Sequence, residues 1–174
     1  MNHVGVAVPS PADGSERRQR DKSLLDWVRK ADRMLIDSYG EKTGIDFSNH
    51  KAENLMAIDQ YFLGTQTREK ARQSKKYYET NAIAMASYLG EVIVQNLGGS
   101  WHFPTALEAL FVRLLGNPFR MQRYWYVLLG QEKVYVLRAA LEAINRTAKE
   151  FSLYDFYQER ERRIRSVPES GTLR

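Results

Sequence analysis

Glu91, Trp101 and His102 are the residues of this sequence whose types and spacing come nearest to a chemical site. A carboxylate and an imidazole can exchange protons with a ligand, and an indole offers a broad apolar face with one N–H donor. A small-ligand or enzymatic site near these residues requires one concave pocket into which all three side chains point. We call this function the second alternative, because two other functions, described below, fit the sequence better.

The other residues that carry chemistry form no recognised catalytic pattern. The chain has no cysteine, which excludes thiol catalysis, disulfide bonds and cysteine-ligated zinc. Gly98 and Gly99 precede Ser100 rather than a lysine, so they do not form a phosphate-binding loop. His50 is expected to face water in the first turn of a helix, and Asp32 to lie on the solvated side of the first helix. We predict no catalytic residue, no metal site and no cofactor, and an enzyme is the less favoured class.

The stretch YLGEVIVQNLGGSW, at positions 88–101, puts a glycine beside a glutamate inside an apolar run. On a helix, Glu91 belongs to a polar stripe with Ser87 and Gln95. Glycine costs about 1 kcal/mol relative to alanine inside a helix, and it permits close approach by a neighbouring element. If an element crosses at Gly90, a partly buried Glu91 needs a hydrogen-bond donor. A structural role for Glu91 is favoured, with a binding role as the alternative.

Helical periodicity runs along most of the chain and predicts a mainly α fold. The pattern indicates a single compact helical domain of six or seven helices at residues 19–165, between a flexible leader at 1–18 and a flexible tail at 166–174. Gly98 is expected to end the helix that contains Glu91, because glycine adopts the left-handed C-cap conformation without steric cost. The stripe of the first helix consists of four apolar residues at helical spacing: Leu24, Val28, Ala31 and Leu35.

Two segments of the second half combine helical and extended features. YWYVLL at 124–129 has the aromatic and aliphatic composition of a strand, but its spacing behind Asn117-Pro118 favours a helix that ends at Gly130. VYV at 134–136 begins a predicted helix and also has the composition of a short strand. One short strand pair is therefore the main alternative within the helical fold. A hydrophobic staple at the start of the last helix is predicted from three residues: Phe151, Ser152 and Phe156.

The order of these segments resembles a pattern of small bacterial domains of unknown function. The pattern reads D-[YF]-S, then Y-x-G-E-V, then G-G-x-W, and this chain matches it from Ile45 to Trp101, with IDFS, LMAIDQYF and YLGEVIVQNLGGSW in order. Some of these domains resemble immunity or accessory proteins of polymorphic toxin systems. In them G-G-x-W leads into a strand, whereas here Thr105 and Glu108 predict a helix start. The resemblance implies a binding or structural protein and names no partner.

A basic face is the first surface that could meet a partner. The chain has a net charge of +5 and a pI near 9.4, which fits an anionic partner. Tyrosines that follow the basic residues could stack on bases. A nucleic-acid-associated helical protein is therefore the first alternative function. The cationic residues that would share one helix face are Arg68, Arg72, Lys75 and Lys76.

An aromatic cluster is the second such surface, and it carries the leading hypothesis. Tyrosine and tryptophan are enriched at interface hot spots because they combine a large contact area with a polar group. The cluster, with Glu91 beside it, is Trp101, Phe103, Phe119, Tyr124, Trp125 and Tyr126. A large aromatic core is the competing interpretation of the same residues.

The leading hypothesis is a non-enzymatic, cytoplasmic bacterial protein that acts by binding another protein or a second copy of itself. An immunity-like or accessory factor is the specific role expected. No run of eighteen apolar residues occurs, so no membrane partner is predicted.

Overall fold

A computed structural model of the chain describes residues 14–63, 74–103, 125–145 and 150–166. The helices are α1 (Gly14–Thr43), α2 (Asn54–Leu63), α3 (Lys75–Leu97), α4 (Val136–Asn145) and α5 (Leu153–Ser166). The strands are β1 (Ser100–His102), β2 (Tyr126–Leu129) and β3 (Glu132–Val134). The predicted mainly α fold is confirmed. The described ranges contain five helices, so the predicted count of six or seven helices is not confirmed. Helix α1 begins at Gly14, inside the range assigned to the leader.

The three strands form one antiparallel sheet in the order β1-β2-β3, in place of the single strand pair considered as an alternative. The prediction of a helix over YWYVLL was wrong for Tyr126–Leu129. Val127 and Leu129 are buried and Leu128 between them is exposed, which is the period-two pattern of a strand. Gly130 has φ +60° at the first position of a two-residue turn, where a type II′ hairpin favours glycine. It therefore closes a hairpin rather than a helix.

Helix α3 is the centre of the fold. It packs against α1 on one side and α4 on another, and it also contacts β1 and β2. Tyr88, Leu89, Val92 and Ile93 are fully buried on it, because neighbouring elements cover most of its circumference. Gly98 ends the helix with φ +75° and donates its N–H to the Val94 carbonyl oxygen at 3.1 Å. The predicted glycine C-cap is confirmed.

His50 and Asp32 form a buried polar pair, so the predictions that both face water were wrong. His50 Nε2 lies 3.0 Å from Asp32 Oδ2, and the His50 ring stacks on Tyr88 at 5.2 Å between centroids. Asn96 Nδ2 donates to the His50 carbonyl oxygen at 2.9 Å. These contacts hold the loop before α2 against both α1 and α3, and His50 adopts a φ of 47° within it.

The surroundings of His50 raise its pKa above the ordinary value. Burial lowers the pKa of the imidazole, but the hydrogen bond and charge of Asp32, together with the charge of Glu91, outweigh burial. A histidine with a raised pKa in the folded state stabilises the fold fully below its unfolded pKa, about 6.5. That stabilisation is lost as the pH rises through the folded pKa.

Helix α5 receives its N-terminal cap from a distant residue as well as from its own sequence. Asp59 of α2 accepts hydrogen bonds from Ser152 Oγ at 2.8 Å, Leu153 N at 2.9 Å and Tyr154 N at 3.1 Å. Its carboxylate thus satisfies amide groups that a helix start leaves without partners. The predicted staple is confirmed, since the Phe151 and Phe156 ring centroids lie 5.8 Å apart around the cap.

None of the described helices is long and apolar enough to cross a membrane.

Candidate protein-binding surface

The contact between Trp101 and Gly90 explains the glycine and the glutamate inside the apolar run. Strand β1 folds back along α3, and the Trp101 indole lies directly on the Gly90 backbone. A Cβ atom at position 90 would lie 2.0 Å from Trp101 Cη2. Trp101 Nε1 donates to Glu91 Oε1 at 2.9 Å, which supplies the donor that this half-buried carboxylate requires. Glu91 therefore orients the indole.

All three tryptophans of the chain meet in one aromatic row that continues from this contact. The row runs from Phe103 to Trp101, Trp125 and Trp27. Its successive ring centroids lie 5.9, 6.1 and 5.4 Å apart. Three elements contribute to it, because Trp101 comes from β1, Trp125 directly precedes β2, and Trp27 is on α1. The row connects the Glu91 contact in the interior to the outer face of α1.

The residues of the predicted aromatic cluster that the structure describes are buried or half-buried. Trp125 is 4% exposed and Tyr126 is 7% exposed, whereas Trp101 and Phe103 are half-buried. Phe119 and Tyr124 fall outside the described residues. Phe103, Trp101 and Trp125 of the cluster belong to the aromatic row, whose exposed member is Trp27.

Trp101 and His102 line a recess of about 460 Å³ between β1 and the first turns of α1. The recess also contains Phe103, Arg17 and Lys22, and Glu91 does not line it. His102 stacks on Tyr126, with 4.4 Å between ring centroids. The structure brings Glu91 and Trp101 together by a hydrogen bond, but it does not direct Glu91, Trp101 and His102 into one pocket. The geometry required for the second alternative is therefore not met.

The basic face predicted for nucleic-acid binding lies largely outside the described residues. Arg68 and Arg72 are in the undescribed segment before α3. Lys75 and Lys76 are in the first turn of α3, where the structure describes the backbone only. The nucleic-acid alternative stays a prediction.

A groove between α1 and α3 forms an apolar depression along the outer face of α1. Its volume is about 560 Å³, and Trp27, Ala31, Met34 and Ile83 supply its apolar walls. Trp27 is 45% exposed and Met34 is 42% exposed, which makes them the two most exposed large apolar side chains among the described residues. We call this feature the α1–α3 groove. Trp27 and Met34 in its walls are open to solvent, although Trp125, which lies next to Trp27 in the aromatic row, is buried.

Charged residues border the α1–α3 groove without partners of their own. Lys30, Arg33 and Asp37 line it and are exposed. Within the described part of the chain, none of the three side chains makes an ion pair or a hydrogen bond. By contrast, Arg29 on the same helix forms an ion pair with Asp26, with 4.0 Å between Arg29 Nη1 and Asp26 Oδ1. The rim of the groove therefore presents two cations and one anion, an excess of one positive charge, with none of them in an ion pair among the described residues.

Trp27 and Met34 were not among the predicted site residues, although the sequence contains a signal for them. Trp27 and Met34 fall four residues before and three residues after Ala31 of the predicted core stripe, so they widen that stripe on one side. A helix that packs against one neighbour needs one narrow apolar stripe. The additional apolar width of α1 therefore indicates a surface that is available for another contact.

Comparison with known proteins found no matching family model, curated protein or solved structure. In the ranges that the structure covers, no group of three or more histidine, aspartate and glutamate residues is arranged to hold a metal ion.

Proposed function

We propose that this chain acts by binding another protein through the α1–α3 groove, with Trp27 as the anchor. The observation that carries the proposal is the coincidence of the two most exposed large apolar side chains, Trp27 and Met34, in one groove. Exposed apolar residues that stand alone are ordinary, whereas a contiguous apolar groove with a charged rim is typical of an interaction site.

The support of Trp27 strengthens the proposal. Its ring rests on buried Trp125, which stacks on Trp101, and Glu91 fixes the orientation of Trp101. A tryptophan held in this way loses little conformational freedom on binding, so its contact area contributes to affinity with a small entropic cost. Tryptophan is also among the residues enriched at interface hot spots. Trp101 and Trp125 of the predicted cluster thus contribute by supporting the anchor rather than by direct contact.

The specific form of this proposal is an immunity-like or accessory factor in the bacterial cytoplasm. It rests on the resemblance of residues 45–101 to small bacterial domains, some of which resemble such proteins.

The experiment that tests the proposal compares two methionines of similar exposure. Met34 lies in the groove, and Met56, on α2, is 39% exposed outside it. The immobilised chain is incubated with a native lysate treated with nuclease, and the retained proteins are quantified. A protein retained by the wild-type chain and by Met56→Glu, but lost with Met34→Glu, supports the proposal. Equal retention by both variants, or no retained protein, contradicts it.

A further inference from the structure

The spacing of the apolar residues in the α1–α3 groove matches the contact pattern of a helix. Trp27 and Met34 are seven residues apart on α1, which is about 10.5 Å along the helix axis. Amphipathic helices bind apolar grooves through side chains at i, i+3 or i+4, and i+7, which span the same distance. Ala31 lies between the two large residues on α1, and its small side chain leaves room for a side chain from a second helix, while Ile83 of α3 also lines the groove.

The charge of the rim selects among helical partners. Lys30 and Arg33 are exposed at the groove and have no anionic partner in the described structure, and only Asp37 opposes them. Charges at the edge of an interface steer encounter and discriminate between partners. A helix with acidic residues flanking its apolar stripe complements this rim, whereas a basic helix is repelled by it.

A second copy of the chain is a poorer occupant. It would bring a second rim of two cations and one anion, so the contact would hold an excess of positive charge, on a chain whose net charge is already +5. The unbalanced cations of two such rims would then repel each other across the interface.

We infer that the α1–α3 groove binds an acidic amphipathic helix of a partner protein. This inference rests on the proposed function and adds the chemical class of the partner. Trp27 and Met34 receive the apolar side chains of the helix, and Lys30 and Arg33 pair with its flanking carboxylates.

Two synthetic peptides test the inference with the full chain. Each has about 18 residues, long enough to form a helix on binding, and carries leucine at i, i+3, i+4 and i+7. One has glutamate on both flanks and the other has lysine at the same positions. Fluorescence anisotropy of the labelled peptides measures binding. The acidic peptide is expected to bind and the basic peptide to bind at least 10-fold more weakly, in the range that rim electrostatics provide. Equal affinities, or no binding of the acidic peptide, overturn the inference.

Variants of the chain locate the binding site of the acidic peptide. Met34→Glu is expected to weaken binding by about 30-fold, as loss of a hot-spot contact does, and Met56→Glu is expected to leave it unchanged. The double variant Lys30→Glu, Arg33→Glu is expected to reverse the preference between the two peptides.

The matched control for the charge reversal is Arg18→Glu, Lys22→Glu, which changes the net charge equally on the same helix, outside the groove. This control is expected to keep the preference for the acidic peptide. If both double variants reverse the preference, the overall charge and not the rim decides, and the inference is wrong. If Met34 is needed for capture of a protein but the acidic peptide does not bind, the inference fails and the proposed function stands.

Discussion

Replacement of Gly90 by alanine tests the central packing contact of the fold. In an ordinary helix this change gains up to about 1 kcal/mol, because alanine has the higher helix propensity. Here the new Cβ would lie 2.0 Å from Trp101 Cη2 and 2.2 Å from Cζ2. The indole must move off α3, which costs about 1–3 kcal/mol for overpacking. It also weakens the hydrogen bond to Glu91, and a bond to a charged group contributes about 1.5–3 kcal/mol. We expect Gly90→Ala to lower the free energy of unfolding by about 2–3 kcal/mol.

Urea unfolding followed by circular dichroism measures this change against a matched glycine. Gly40 is also inside a helix, and a Cβ there would meet only the Ile45 carbonyl oxygen at 3.4 Å. Gly40→Ala is therefore expected to be neutral or to stabilise the protein by up to about 1 kcal/mol. In a Trp101→Val background the obstruction is absent, so the cost of Gly90→Ala should disappear. Wild-type stability for Gly90→Ala, or the same cost with Val at position 101, refutes the reasoning.

Three further changes have effects that follow from single contacts. Asp59→Ala removes the acceptor for three donors at the start of α5, so we expect a loss of about 2–3 kcal/mol in urea unfolding. The exposed Asp155→Ala is the control, with a loss below about 1 kcal/mol, and equal losses would contradict the assigned cap. His50→Gln should lower the urea midpoint most below about pH 6.5, and its difference from wild type should shrink as the pH rises, since burial is outweighed by Asp32 and the pKa of His50 is raised. A difference that grows with pH would show the sign to be wrong. Gly130→Ala should cost about 1 kcal/mol, because φ +60° is strained for any side chain, and unchanged stability would argue against the turn.

Local rules recovered the helical parts of the fold. The stripe of α1, the glycine that ends α3 and the staple of α5 depend on residues within a few positions of one another, so their spacing is visible in the sequence. The reasoning at Gly90 also succeeded in part, because a glycine inside a helix indicates close approach whatever the approaching element is.

Contacts between distant segments were not predictable in the same way. The donor to Glu91 is Trp101, which reaches it only because β1 folds back on α3. His50 pairs with Asp32 across 18 positions, and no periodicity distinguishes that pair from surface charge. Tyr126–Leu129 form a strand because β1 and β3 provide hydrogen-bonding neighbours on both sides of them. Tertiary pairing overrode the helical spacing there.

The sequence interpretation placed the candidate surface on a neighbouring part of the aromatic row rather than on Trp27. Aromatic density drew attention to Trp101 and Trp125, but Trp125 is buried and Trp101 is half-buried, and the two rings stack on each other. Trp27 is far in sequence from the other two tryptophans, and only the structure joins it to the row. The aromatic composition of the sequence pointed to the row. The solvent exposure of each ring in the structure identified Trp27 as its exposed member.

Photo-crosslinking from the α1–α3 groove is the most direct test of the central claim. A photoreactive phenylalanine derivative is placed at Met34 in one version of the chain and at Met56 in another, because the two methionines are similarly exposed. After irradiation in the native cells, the crosslinked products are identified by mass spectrometry. The account predicts a discrete protein adduct from position 34, formed through an acidic helical segment, and none from position 56. The same adducts from both positions, or none from position 34, would contradict it.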